Sequence, residues 1–145
     1  MADQSWDEAM ALAQLANAEM IRGNAAPLKQ LYSHRDDVTV LGGFGGFERG
    51  WREVEPRLDW AASQFSAGTF SQEEVSVIVG SDVTVLVTIE RITARIGAAQ
   101  SDTAEELRVT QVFRREDGRW RLVHRHGDPL VRKQAPAREN DGAAA

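Results

Sequence analysis

The side chains of this sequence that could do acid–base or metal chemistry are few, and they gather in two places. Towards the C-terminal end, His124 and His126 flank Arg125, and Asp128 follows. Residues two apart on a strand share a face, so His-x-His-x-Asp would set two imidazoles beside a carboxylate, donor types that suit zinc. Two histidines and one acid fall short of a full ligand set, and no metal or other cofactor is expected. The second place is His34, followed by Arg35, Asp36 and Asp37. A histidine oriented by a carboxylate is a common general base, but here the run reads better as the solvated end of a helix. The segment Gly42–Gly50 carries five of the twelve glycines. It has neither the Gly-x-Gly-x-x-Gly register nor a following Gly-Lys-Ser/Thr that a phosphate loop needs, so a mobile rim is expected. Cys is absent, which removes thiolate nucleophiles and disulfides. No Gly-x-Ser-x-Gly elbow occurs either.

These residues must be positioned by elements that the punctuation of the chain marks out. Ser5-Trp-Asp-Glu8 has the form of a capping box. It opens a helix to about Arg22 with Trp6, Met10, Ala13 and Met20 on one stripe, stopped by Gly23. A short helix after Asn24-Ala-Ala-Pro27 carries Leu28, Leu31 and Tyr32, and a brief strand covers Val38–Leu41. A third helix has Trp51, Val54, Leu58, Ala61 and Phe65 at helical spacing, with a late start or kink expected at Pro56. Beyond Gly68 the period becomes two. Val75–Val79, Val83–Ile89, Leu107–Phe113 and Trp120–His126 alternate, and Glu116-Asp-Gly-Arg119 forms a tight hairpin turn. Three helices followed by an antiparallel meander is an α+β layout, with the helices on one face of a curved sheet. Such a cone leaves a pocket between the helices and the concave face, a usual place for a ligand.

The chain has 145 residues, 42% of them hydrophobic and 27% charged, which suits one globular domain over residues 1–131. A net charge of −5 argues against nucleic-acid or anionic-membrane partners. The apolar runs are too short to cross a bilayer, and the acidic start has no apolar stretch of a secretory signal. A cytoplasmic location is expected. Residues 132–145 have no apolar side chain larger than Pro beyond Val131 and are expected to be a disordered tail.

The segment Asp117-Gly-Arg-Trp-Arg-Leu-Val-His-Arg-His126 resembles the last hairpin of the nuclear transport factor 2-like superfamily. Leu31-Tyr-Ser-His-Arg-Asp-Asp-Val-Thr-Val40, Arg49-Gly-Trp51 and Val109-Thr-Gln-Val-Phe-Arg114 extend the likeness over about residues 5–128. The superfamily includes ketosteroid isomerases, SnoaL-like polyketide cyclases and the association domain of calcium/calmodulin-dependent kinase II. The resemblance implies a cone-shaped, cystatin-like roll. It also shows departures: where the isomerases carry a general-base Asp, an oxyanion-hole Tyr and an oxyanion-hole Asp, this chain has Gly42, approximately Ala16, and Gln111. None of these moves a proton. Where the cyclases have an acid between the terminal histidines, this chain has Arg125.

The same resemblance turns Arg125 towards the concave face and both histidines towards the convex one. A guanidinium there needs an anion, either Glu90 on the same sheet or a ligand carboxylate. Gln111 is expected on that face, and Tyr32 and Trp60 are expected to wall the pocket from the helices. The pocket candidates are therefore Arg125, Gln111, Glu90, Tyr32 and Trp60. They suit a small-molecule-binding protein or an enzyme of isomerase, cyclase or hydrolase type, with an apolar or carboxylate-bearing ligand. The alternative is a non-catalytic dimeric or oligomeric interaction module. Val83, Val85, Val87 and Ile89 lie on one face of their strand while Leu86 and Ile92 lie on the other. A sheet covered on one side only should alternate with polar residues, so a homodimer is expected to cover the convex face.

Overall fold

A computed structural model describes residues 2–136. Ser5 caps helix α1 (Trp6–Ile21): its hydroxyl accepts from the Glu8 N–H at 3.1 Å, and the Glu8 carboxylate accepts from the Ser5 N–H at 3.2 Å. Gly23 ends it with φ +97°, a conformation that costs glycine nothing. Helix α2 spans Ala26–Leu31, followed by strands β1 (Thr39–Leu41) and β2 (Glu48–Arg49). Helix α3 (Trp51–Ser63) starts at Trp51 rather than late, with exposed Pro56 inside it. Four long strands follow: β3 (Phe65–Val79), β4 (Val83–Ile96), β5 (Thr103–Glu116) and β6 (Arg119–Pro129). In the last hairpin Asp117 and Gly118 both have positive φ, 51° and 77°, the backbone of a tight primed turn.

The strands form one sheet in the order β2-β1-β6-β5-β4-β3, antiparallel except where β1 pairs with β6. That parallel pair is what lets the N-terminal half of the chain lie beside the C-terminal strand. The expected α+β roll, with helices on one sheet face, is thus present. Its core joins Ala9, Ala13, Ala16, Met20, Leu28, Leu31, Val54 and Leu58 of the helices to Leu86, Phe113 and Leu122 of the sheet. A smaller cluster of Ile21, Ile92, Ala94, Leu107 and Val109 fills the other end.

Strand β3 is the largest departure from expectation. It begins at Phe65, directly after α3, and not near Val75. As an edge strand it is polar along most of its length, so no apolar alternation betrays it. Gly68 sits where α1 crosses: a Cβ there would meet the Ile21 side chain and lie 2.8 Å from the Ala94 Cβ. Residues 132–136 are exposed and outside helices and strands; the remainder of the expected tail, 137–145, lies outside the described residues. No helix among the described residues is long and apolar enough to cross a membrane.

Candidate functional site

Strand alternation puts Thr84, Leu86, Thr88, Glu90 and Ile92 on the concave face of β4, and all five are buried. Leu86 is level with Gln111 on β5, which is level with Arg125 on β6. Arg125 therefore faces inward, and it reaches diagonally across the sheet to Glu90. Its two terminal nitrogens donate to the two carboxylate oxygens at 2.7 Å each. Gly127 lies beside Arg125, where an added Cβ would stand in ordinary contact, 3.7 Å from a guanidinium nitrogen. The Glu90 side chain is 1% exposed and that of Arg125 17%. Burial opposes the charge on Arg125, but the Glu90 carboxylate more than offsets this and holds the guanidinium pKa above its ordinary value.

Beside this pair lies a cavity of about 130 Å³. Its apolar wall is made by Met20, Ile21, Leu28, Leu58, Phe65, Phe70, Ile92 and Leu107, and Tyr32, Glu90 and Arg125 open onto it. Tyr32 follows directly on α2, held in place by a bridge from its backbone to Leu122 and by the Ser33 N–H donating to the Leu122 carbonyl at 2.8 Å. The residue is 1% exposed, yet its hydroxyl has no hydrogen-bond partner among the described residues. Buried hydroxyls are seldom left so. Burial pushes the phenol up to about 12, with Glu90 and Glu48 adding to the effect and Arg125 opposing it. Tyr32 is therefore a neutral O–H donor at neutral pH.

Glu48 and Arg57 complete the charged wall, and neither was among the residues expected there. Arg57 Nε lies 3.2 Å from a Glu48 oxygen, and a terminal Arg57 nitrogen donates to the Gly45 carbonyl at 3.5 Å. Burial raises the Glu48 pKa above the ordinary carboxylate value; Arg57 opposes the shift and Glu53 adds to it. Gly42, Gly43 and Phe44 supply the rim, and Glu105 and Asn17 also reach the wall. A two-residue strand such as β2 has no readable period. The only signal for Glu48 was an acid next to a glycine-rich rim.

Two expected residues lie elsewhere. Trp60 does not wall the cavity: it is 42% exposed, with Phe44 edge-on at 5.0 Å and the Arg57 guanidinium over its ring at 4.1 Å. Leu58 takes the inward position, and a residue two places on points away from it in a helix. Gln111 is buried on the concave face but off the cavity. Its neighbour Leu86 packs into the core, so that row of the sheet is already filled. Gly42 lies among the residues that line the cavity, and Ala16 is buried in the core.

His124 lies on the convex face, its Nδ1 2.8 Å from the Thr39 hydroxyl. Burial lowers its pKa, and His126 adds to the shift. His34 stacks on Trp51 at 4.0 Å with its Nε2 2.8 Å from the Lys29 carbonyl, away from the cavity. On the convex face Val75, Ile78 and Val83 are exposed, and Val85, Val87 and Ile89 are only partly covered.

The family model that matches this chain is the SnoaL-like domain, over residues 9–131. No curated protein matches. Among solved structures, a nuclear transport factor 2-like superfamily protein from Salmonella enterica serovar Typhimurium is 18% identical, with 88% of this chain and 92% of that one covered at a TM-score of 0.74. A family member from Streptomyces avermitilis, provisionally named a dehydratase, is 23% identical, covering 86% of this chain and 96% of its own at 0.72. A protein of cystatin-like fold from Nostoc punctiforme is 15% identical, covering 90% and 96% at 0.67. At such identities the likeness to these structures is one of fold.

Proposed function

The chain belongs to the SnoaL-like domain family of the nuclear transport factor 2-like superfamily, and from that premise we propose that its cone cavity holds a small, largely apolar molecule for proton-transfer chemistry of isomerase or cyclase kind. The observation that carries this reading is the Tyr32 hydroxyl, buried without a partner among the described residues on a side chain that lines the cavity. A ligand oxygen would complete it, and a fixed O–H donor in a dry site stabilises charge developing on that oxygen. Glu48 is the proposed proton carrier, because burial already moves its pKa towards the working range of a general base or acid. The fold alone carries many functions, so the proposal rests on these side chains and not on the family.

A mostly apolar cavity, partly open to solvent, with an unpartnered donor on a lining residue supports this reading over a purely structural hub. Assembly still belongs to the proposal: we place a second copy of the chain over the convex face, where the apolar surplus of β3 and β4 would otherwise meet water. The test of function is a thermal-shift and NMR titration with one-ring alcohols and ketones, comparing wild type with Tyr32→Phe. Saturable binding that Tyr32→Phe weakens by roughly tenfold, the value of a hydrogen bond in a dry site, is the expected result. Equal binding by both proteins removes Tyr32 from the site.

A further inference from the structure

The charges on the cavity wall do not cancel. Among the described residues that line it, Glu48, Glu90 and Glu105 stand against Arg57 and Arg125, which leaves one negative charge in excess. Neither guanidinium is open to an incoming anion. Arg125 gives both terminal nitrogens to Glu90 at 2.7 Å. Arg57 is held by Glu48 at 3.2 Å and by the Gly45 carbonyl, and its flat face is stacked on Trp60 at 4.1 Å. Acceptors, by contrast, are left over. Glu105 lies across the ladder from Ile92, partly buried on the concave side, and pairs with no basic side chain among the described residues. Tyr32, 1% exposed, adds a hydroxyl oxygen that has no partner among the described residues.

Given that this cavity is the ligand site, we infer that the ligand it selects is a small apolar ammonium ion, a one-ring amine, and that it excludes carboxylates. A carboxylate would bring like charge into a region of low dielectric, where repulsion is strong. To gain Arg125 it would have to displace Glu90, leaving that buried carboxylate uncompensated. An ammonium has three donors and no acceptor, which suits the open carboxylate of Glu105 and the lone pairs of the Tyr32 oxygen. Its charge would be met by Glu105 and its ring by Ile92 and Leu107. A nearby cation also favours the ionised form of Glu48, relieving the cost of its burial. The volume agrees: about 130 Å³ stands close to the roughly 150 Å³ cavity known to hold benzene.

Three probes of nearly one shape separate charge from size: benzylamine, benzyl alcohol and benzoate, each titrated into the full chain at neutral pH and followed by backbone NMR. Affinity is expected to fall in that order, by roughly tenfold per step, the size of a partly buried charge interaction. The amide shifts should centre on Tyr32, Ile92 and Leu107. Glu105→Gln should bring benzylamine to within about twofold of benzyl alcohol, both measured on that variant. The inference is overturned by benzoate binding as tightly as benzylamine, by an amine preference that survives Glu105→Gln, or by amine shifts confined to other surfaces. Should the alcohol bind in the cavity without any preference for the amine, the ligand class is wrong and the binding reading stands. Should none of the three reach the cavity, both fall.

Discussion

Replacing Arg125 by Met removes one half of an ion pair whose other half cannot reach water. Glu90 keeps its place on β4 with its side chain 1% exposed, and it loses two donors at 2.7 Å. Removing one partner of a buried pair typically costs 3–5 kcal/mol, and since the Arg125 side chain is 17% exposed the lower end applies, about 3 kcal/mol. At about 3 °C per kcal/mol for a domain of this size, the melting temperature should fall by roughly 9 °C. Glu90→Met should cost a similar amount, because it strands the guanidinium instead. The double variant tells more: two well-packed apolar side chains can replace a buried pair at little cost, so it should return to within about 1 kcal/mol of wild type. Urea unfolding of the four proteins at neutral pH measures the cycle. Single costs below about 1 kcal/mol, or a double variant whose loss is the plain sum of about 6 kcal/mol, would refute the account of an isolated, mutually dependent pair.

Other outcomes follow from the same packing and charge. Gly68→Ala should destabilise by about 2–3 kcal/mol, since the new Cβ meets Ile21 and would stand 2.8 Å from the Ala94 Cβ; an unchanged urea midpoint would show that α1 can shift. Hydrogen bonds from Arg114 hold the Asp37 carboxyl below its usual value, and those from Arg114 and Ser33 do the same for Glu116 against the opposing effect of burial. Carboxyls depressed in the folded state contribute stability that is present above their unfolded values, 3.8 and 4.5, and is lost as pH falls through the folded ones. Stability should therefore decline on acidification through that window, and decline less in Glu116→Gln; identical acid profiles would remove this network from the account. Light scattering at micromolar concentration should give a dimer mass that Val85→Arg reduces to a monomer, and a monomeric wild type would leave the convex face without the partner proposed for it.

Much of this architecture was legible because local signals and the global fold agree. The capping box at Ser5, the stop at Gly23 and the Asp117-Gly118 turn each act through the backbone within a few residues, where sequence speaks directly. The resemblance turned Arg125 towards the concave face and left Glu90 or a ligand carboxylate as its partner; the structure pairs it with Glu90. What could not be read was set by neighbours distant in the chain. Strand β3 is an edge, so its sequence up to Glu74 carries no core period, and Gly68 makes sense only once Ile21 lies over it. Trp60, by contrast, stands two places after Leu58, on the far side of the helix, so its spacing already spoke against the inward position, and it packs instead with Phe44 and Arg57. Glu48, on a strand of two residues, had no periodic context, and Glu105 lies two places before the Leu107–Phe113 alternation, on the part of β5 outside it. They reach the site because β1 pairs with β6 and β5 with β4.

The central claim, that the cavity beside the Glu90–Arg125 pair is a ligand site completed through Tyr32, is tested most directly by a crystal structure of the protein soaked in benzyl alcohol. The account expects one ring against Ile92 and Leu107, with its oxygen at hydrogen-bond distance, about 2.7 Å, from the Tyr32 hydroxyl. A dry, empty cavity at saturating alcohol, or a ring bound only on the convex face, would contradict it.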